Sequence, residues 1–157
     1  MSGPAAAPRA VRPKEFHFPL SVGWGGDRRV VARVAGKPSL EVSPPPVFRG
    51  TEPTLWSPED LLVAATASCL AVTFTGLAQR AELDYSRLEV DGDGVVGTRD
   101  DGRFGFTRLL LRVHVETAAT DVERARELVR KAEESCLVSA SLDLPVETRI
   151  EVAARAA

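Results

Sequence analysis

Residues 57–80 read SPEDLLVAATASCLAVTFTGLAQR, and this stretch decides the fold. Ser57 can accept a hydrogen bond as an N-cap, and Pro58 suits the first helical position. Glu59 and Asp60 complement the positive end of a helix dipole. From Leu61 to Ala78 there is no charge. The pattern predicts a helix running to about Arg80, roughly 35 Å long at about 1.5 Å per residue. A helix apolar on every side either spans a membrane or forms the centre of a folded domain. Thr66, Ser68, Thr73, Thr75 and Gly76, with the ordinary flank Gln79-Arg80-Ala81-Glu82, favour the central helix over the span.

Outward from this helix the chain reads as short strands. Upstream, Phe16–Val22 is a candidate strand, followed by a turn at Gly23-Trp24-Gly25-Gly26-Asp27. Arg29–Ala35 and Leu40–Ser43 flank the turn signal Gly36-Lys37-Pro38 and read as a β-hairpin. Pro44-Pro45-Pro46 then breaks regular structure, and Val47–Trp56 reads as a loop. Downstream, Leu88–Val96 and Phe104–Glu116 form a second predicted hairpin. In its second strand Leu109, Leu111, Val113 and Val115 share one face, which puts His114 on the wetter side. A second helix is predicted to start at Thr120, with Glu123 completing a capping box. Its stripe of Val122, Ala125, Val129, Ala132 and Cys136 faces inward, and its charged arc is solvated. Val146–Val152 closes the chain as a strand. Hairpins and helices segregated in this way indicate an α+β fold.

Composition narrows the function. The chain has 157 residues, 44% hydrophobic and 27% charged, with 20 basic against 22 acidic side chains and a formal charge of −2. A balance this even excludes binding to nucleic acid or anionic membrane driven by bulk charge. Two cysteines exclude a disulfide-dense scaffold and a multi-cysteine zinc or iron–sulfur centre. Met1–Arg12 is small and proline-rich, without the apolar core of a secretory signal. The expectation is a flexible tail over 1–14, one domain over 15–157 and a cytoplasmic location.

The distinctive residues are the two thiols. Cys69 lies mid-helix among Ala64, Ala65, Ala67 and Ser68, where a neighbour can approach closely. Cys136 lies at the end of the inward stripe, 67 residues on. Isolated buried thiols are small hydrophobes. A pair that meets in a reducing compartment does redox work.

Ser57-Pro58-Glu59-Asp60-Leu61-Leu62-Val63-Ala64-Ala65 followed by Ala67-Ser68-Cys69 resembles the first motif of the OsmC/Ohr family of thiol-dependent hydroperoxide reductases. Ala132-Glu133-Glu134-Ser135-Cys136-Leu137-Val138-Ser139 resembles its second. The resemblance covers roughly residues 24–152. It implies an OsmC-like α+β fold, with two hairpin-containing halves around a long buried central helix in an intertwined dimer. It also implies an activity: Cys69 attacks a small organic hydroperoxide and becomes a sulfenic acid, and Cys136 condenses with it to a disulfide. A dithiol of the lipoyl type then re-reduces the pair, and no cofactor is involved. Glu59 matches the family's glutamate. Arg28 and Arg29, after Gly25-Gly26, are both candidates for its arginine.

Physical chemistry gives these roles a reason. A thiol with a pKa near 8.5 is mostly protonated at neutral pH, so a nucleophilic Cys69 needs a neighbouring cation. Arg28 or Arg29 could supply it, held by Glu59 in a bidentate pair. Ten helical residues separate Glu59 from Cys69, about 15 Å, which a glutamate cannot span. If both serve one site, the carboxylate comes from a second chain packed antiparallel about Ala64. Leu137 stands where the family often has proline, and Asp27 would oppose thiolate formation. Leu62, Leu70, Phe74 and Trp56 are loose candidates for an apolar substrate pocket, Trp56 being read rather as a packing group. The alternative is a catalytically weak OsmC-like dimer that binds a ligand or senses redox state. A zinc site from Cys69, Cys136 and His114 needs an unusual arrangement.

Overall fold

A computed structural model describes residues 14–156. The proposed tail lies outside this range except for Lys14, which is exposed and has no regular structure. Strands β1 (Ser21–Gly26), β2 (Arg29–Arg33) and β3 (Leu40–Val42) form an antiparallel sheet in that order. A single helical turn at Pro46–Phe48 and a loop lead into α1 (Pro58–Arg80). Strands β4 (Tyr85–Thr98) and β5 (Phe104–Thr117) pair antiparallel. Then come α2 (Val122–Glu134), α3 (Leu137–Ala140) and β6 (Val146–Ala154), which joins β5 in parallel.

Helix α1 begins as expected: Ser57 Oγ accepts from the Asp60 N–H at 3.0 Å and Asp60 Oδ2 accepts from the Ser57 N–H at 2.8 Å. Its buried residues, Thr66, Leu70, Phe74 and Ala78, recur every four positions and form one stripe. That stripe packs with Leu111, Val113 and Val115 of β5 and Ala125, Val129 and Ala132 of α2 in one core. Full burial of Leu70 and Phe74 contributes about 1.5–3 kcal/mol each. Helix and sheet approach closely because β4 carries Gly92 and Gly94. A Cβ on Gly94 would stand 2.7 Å from Val63 Cγ2 and 2.6 Å from Phe106 Cε1.

Several expectations are corrected. The first strand is Ser21–Gly26, so residues assigned to the turn belong to β1 and the chain reverses at Asp27-Arg28. Glycine signals permission to turn, yet among these glycines only Gly26 has a positive φ, 106°. The capping box at Thr120 does not form. Ala119–Asp121 winds into a tighter turn, and α2 starts at Val122 without a side-chain cap. The pairing of β5 with β6 is a parallel crossover through α2, which the reading of segregated hairpins did not include. Finally, α1 is buried along one stripe only. Ala65, Ser68 and Val72 on the opposite arc are exposed, Val72 to 70%.

The β1–β3 sheet leaves apolar surface uncovered. Phe16, Phe18, Leu20, Val22 and Trp24 alternate along the chain and all are exposed, Trp24 to 80%. By length and composition α1 could cross a membrane. Here it is the helix on which the second sheet and α2 pack.

Candidate active site

Cys69 sits halfway along α1 and is half-buried; its chain neighbour Leu70 belongs to the core stripe. Helix α2 presents Ala125, Leu128, Val129 and Ala132 inward, and its charged residues cover the outer arc. It ends at Glu134. Cys136 follows in an extended conformation, φ −71° and ψ 106°, and its carbonyl accepts from the Ala140 N–H at 3.0 Å as α3 begins. This places the Cys136 side chain in the core at 1% exposure.

Both cysteines are free thiols, and Cys69 packs against the core cluster that contains Cys136, near enough to help lower the Cys136 pKa. Ser139 Oγ donates to Cys136 Sγ at 3.2 Å. Burial pushes the Cys136 thiol up. The Ser139 hydroxyl, the Ser139 N–H, the Cys69 thiol and the Val138 N–H oppose that, and together they hold it below the ordinary cysteine range. Ser139 was not among the residues picked from sequence. Its signal was a hydroxyl three residues past a cysteine at a helix end, a spacing that brings side chain to side chain across one turn.

The other expected residues are not gathered at the thiols within one chain. Arg28 Nη1 donates to the carbonyls of Phe48 and Arg49, at 2.9 and 3.1 Å. Arg29 donates to the Gly25 carbonyl at 3.0 Å and lies 3.6 Å from Glu41. Among the described residues neither guanidinium bonds to Cys69 or Glu59. Glu59 Oε2 is buried and, among the described residues, lacks a hydrogen-bond partner. It lines a groove of about 350 Å³ between α1 and β4, whose charged walls, Glu59, Asp60 and Asp93, are all acidic.

Leu70 and Phe74 are core residues, at 2% and 1% exposure, and cannot line an open pocket. Trp56, read as a packing group, leaves 48% of its surface exposed while its carbonyl accepts from the Ser43 N–H. His114 lies on the outer face of β5, between Asp91 at 3.3 Å and Glu151 at 3.1 Å. It therefore stands across the sheet from Cys136, and the trio with Cys69 and Cys136 is not assembled. A cleft of about 710 Å³ borders Arg99, Phe106 and Asp143; neither cysteine lines it.

A Bacillus subtilis (strain 168) protein, "Uncharacterized protein YmaD", is 28% identical over 147 residues, covering 90% of this chain and 96% of its own. The fold is similar to that of an OsmC-like protein of unknown function from Vibrio cholerae, with a TM-score of 0.79 at 20% identity, covering 87% of this chain and 99% of that one. An organic hydroperoxide resistance protein from Elizabethkingia anophelis matches with a TM-score of 0.69 at 19% identity, covering 90% and 99%. These structural likenesses speak to the mixed α+β fold of two small sheets and a central helix. The model of the family described as OsmC-like protein matches residues 51–151, which span α1, both cysteines and the second sheet. The chain belongs to the OsmC-like protein family.

Proposed function

We propose that the chain is a thiol-dependent peroxidase that reduces small organic hydroperoxides. One observation carries the reading: thiols 67 residues apart meet in one core cluster, one half-buried and the other held below its ordinary range. The Cys69 thiolate attacks the distal oxygen, the O–O bond breaks, and the alkoxide takes a proton and leaves as an alcohol. Cys69 is then a sulfenic acid. The Cys136 thiolate attacks its sulfur, an S–S bond forms, and hydroxide leaves and is protonated to water. A dithiol returns the pair to thiols.

The reading includes a second copy of the chain. The uncovered row from Phe16 to Trp24 and the uncharged arc of α1 supply apolar surface for it. Among the described residues the buried Glu59 oxygen in its acidic groove has no cation, and Arg28 or Arg29 of the partner subunit would complete it. That guanidinium would also favour the Cys69 thiolate.

The test adds one equivalent of an organic hydroperoxide to reduced protein and follows peroxide consumption and intact mass. The expected result is a Cys69–Cys136 disulfide and turnover with a dithiol. Cys69→Ser should abolish consumption, and Cys136→Ser should stall at the sulfenic acid after one turnover. Thiols that stay reduced would overturn the peroxidase and favour a ligand-binding dimer.

A further inference from the structure

The disulfide proposed above contains two chemically unequal sulfurs, and regeneration must choose between them. Thiol–disulfide exchange is an in-line displacement, so the attacking thiolate needs free space behind the sulfur that it strikes. Cys136 is embedded among Leu70, Val129 and Ala132 in the core, with 1% exposure. Cys69 is half-buried, and the proposed reaction already requires a path by which a hydroperoxide reaches it. Access therefore favours Cys69.

The leaving group points the same way, because the partner guanidinium proposed for Cys69 would hold the attacking thiolate at that sulfur while the donor within the chain stands at Cys136. The sulfur that departs carries the electron pair away as a thiolate, and a thiolate with hydrogen-bond donors leaves faster. Ser139 Oγ donates to Cys136 Sγ at 3.2 Å.

From access and donor together, and resting on the reading of Cys69–Cys136 as a redox pair, we infer that the reducing dithiol attacks Cys69, that Cys136 is the leaving group, and that Ser139 is a positioning residue for that departure. One thiolate of the dithiol bonds to Cys69 Sγ, the Cys69–Cys136 bond breaks, and its electron pair stays on Cys136. The second thiolate of the reductant then attacks the reductant's own sulfur in the mixed disulfide. Cys69 leaves as a thiolate, and the reductant ends as an intramolecular disulfide, oxidised by the two electrons the protein gains.

The test forms the Cys69–Cys136 bond with the chemical oxidant diamide, so that peroxidase activity is not needed. A brief pulse of the monothiol 2-mercaptoethanol, acid quenching and peptide mass mapping then locate the adduct. The inference expects it on Cys69; an adduct on Cys136 overturns it. Ser139→Ala should slow disulfide reduction about threefold, and in a Cys69→Ser background should raise the midpoint of the thiolate ultraviolet absorbance by about one pH unit. Ser139→Thr, which keeps the hydroxyl, should restore both. An unmoved midpoint overturns the role of Ser139, whatever its effect on folding. A disulfide made by diamide but not by hydroperoxide would refute the peroxidase while leaving the direction of attack measurable. A disulfide formed by neither oxidant would overturn both.

Discussion

Replacing Glu59 by glutamine keeps the volume of the side chain and removes its charge, and the sign of the effect depends on what faces it. Among the described residues of one chain Glu59 Oε2 is buried without a partner, and the charged neighbours in its groove, Asp60 and Asp93, are acidic. An oxygen left in that condition costs about 1–3 kcal/mol, so in an isolated chain Glu59→Gln should be neutral or stabilising. If a guanidinium of a second copy completes the site, the change breaks a buried charge pair and costs about 2–5 kcal/mol at each site. Twofold symmetry doubles this loss for the assembly. The expected outcome is the second. At roughly 2–4 °C per kcal/mol for a chain of this size, the melting temperature should fall by at least about 4 °C. Sedimentation velocity over a dilution series should show a weakened dimer. Ser57→Ala serves as the control, because Ser57 Oγ caps α1 and does not line the groove; its loss costs about 1 kcal/mol without affecting association. A melting temperature for Glu59→Gln equal to or above that of the parent, with unchanged sedimentation, would refute the composite site.

Two further outcomes follow from packing and protonation. Gly94→Ala sets a Cβ 2.6 Å from Phe106 Cε1 and 2.7 Å from Val63 Cγ2, and should cost about 1–3 kcal/mol in urea unfolding. A second change, Val63→Ala, should recover part of that loss, and a full-strength Gly94→Ala protein would show that α1 and β4 are less tightly apposed. Cys136 lies below its ordinary range when folded, so over the interval up to the unfolded value, about 8.5, the unfolded chain binds more protons. The stability margin of the reduced parent over Cys136→Ser should therefore grow as pH rises through that interval and vanish as pH falls through the folded value. A margin that stays flat across it would contradict the role of the donors around this sulfur.

The parts of the fold legible in the sequence are those set by neighbours along the chain. The cap at Ser57 and the uncharged run behind it define α1 to within a residue, and alternation of Leu109, Leu111, Val113 and Val115 defines the inner face of β5. Errors arose where local permission was read as requirement. Gly23 and Gly25 allow a turn, but pairing with β2 holds them extended; Thr120 could cap a helix, but the turn at Ala119–Asp121 moves the start to Val122. The site was legible as two motifs and a possible meeting of thiols. The Ser139 hydrogen bond was not, because Cys136 falls in the break between α2 and α3, where helical periodicity stops. Nor could spacing reveal that Arg28 would cap the Pro46–Phe48 turn with its guanidinium.

The parallel crossover sets an order of assembly. Cys69 leaves the ribosome 67 residues before Cys136, and the strand that clamps the α2–α3 segment to β5 is the C-terminal one, Val146–Ala154. Parallel pairing across so long an excursion is slow, since loop closure precedes any compensating contact. The helix bearing the first sulfur can thus pack on the β4–β5 hairpin while the second still awaits its seat. On the proposed mechanism a newborn chain passes through an interval in which the Cys69 thiol can meet an oxidant before Cys136 is there to discharge it.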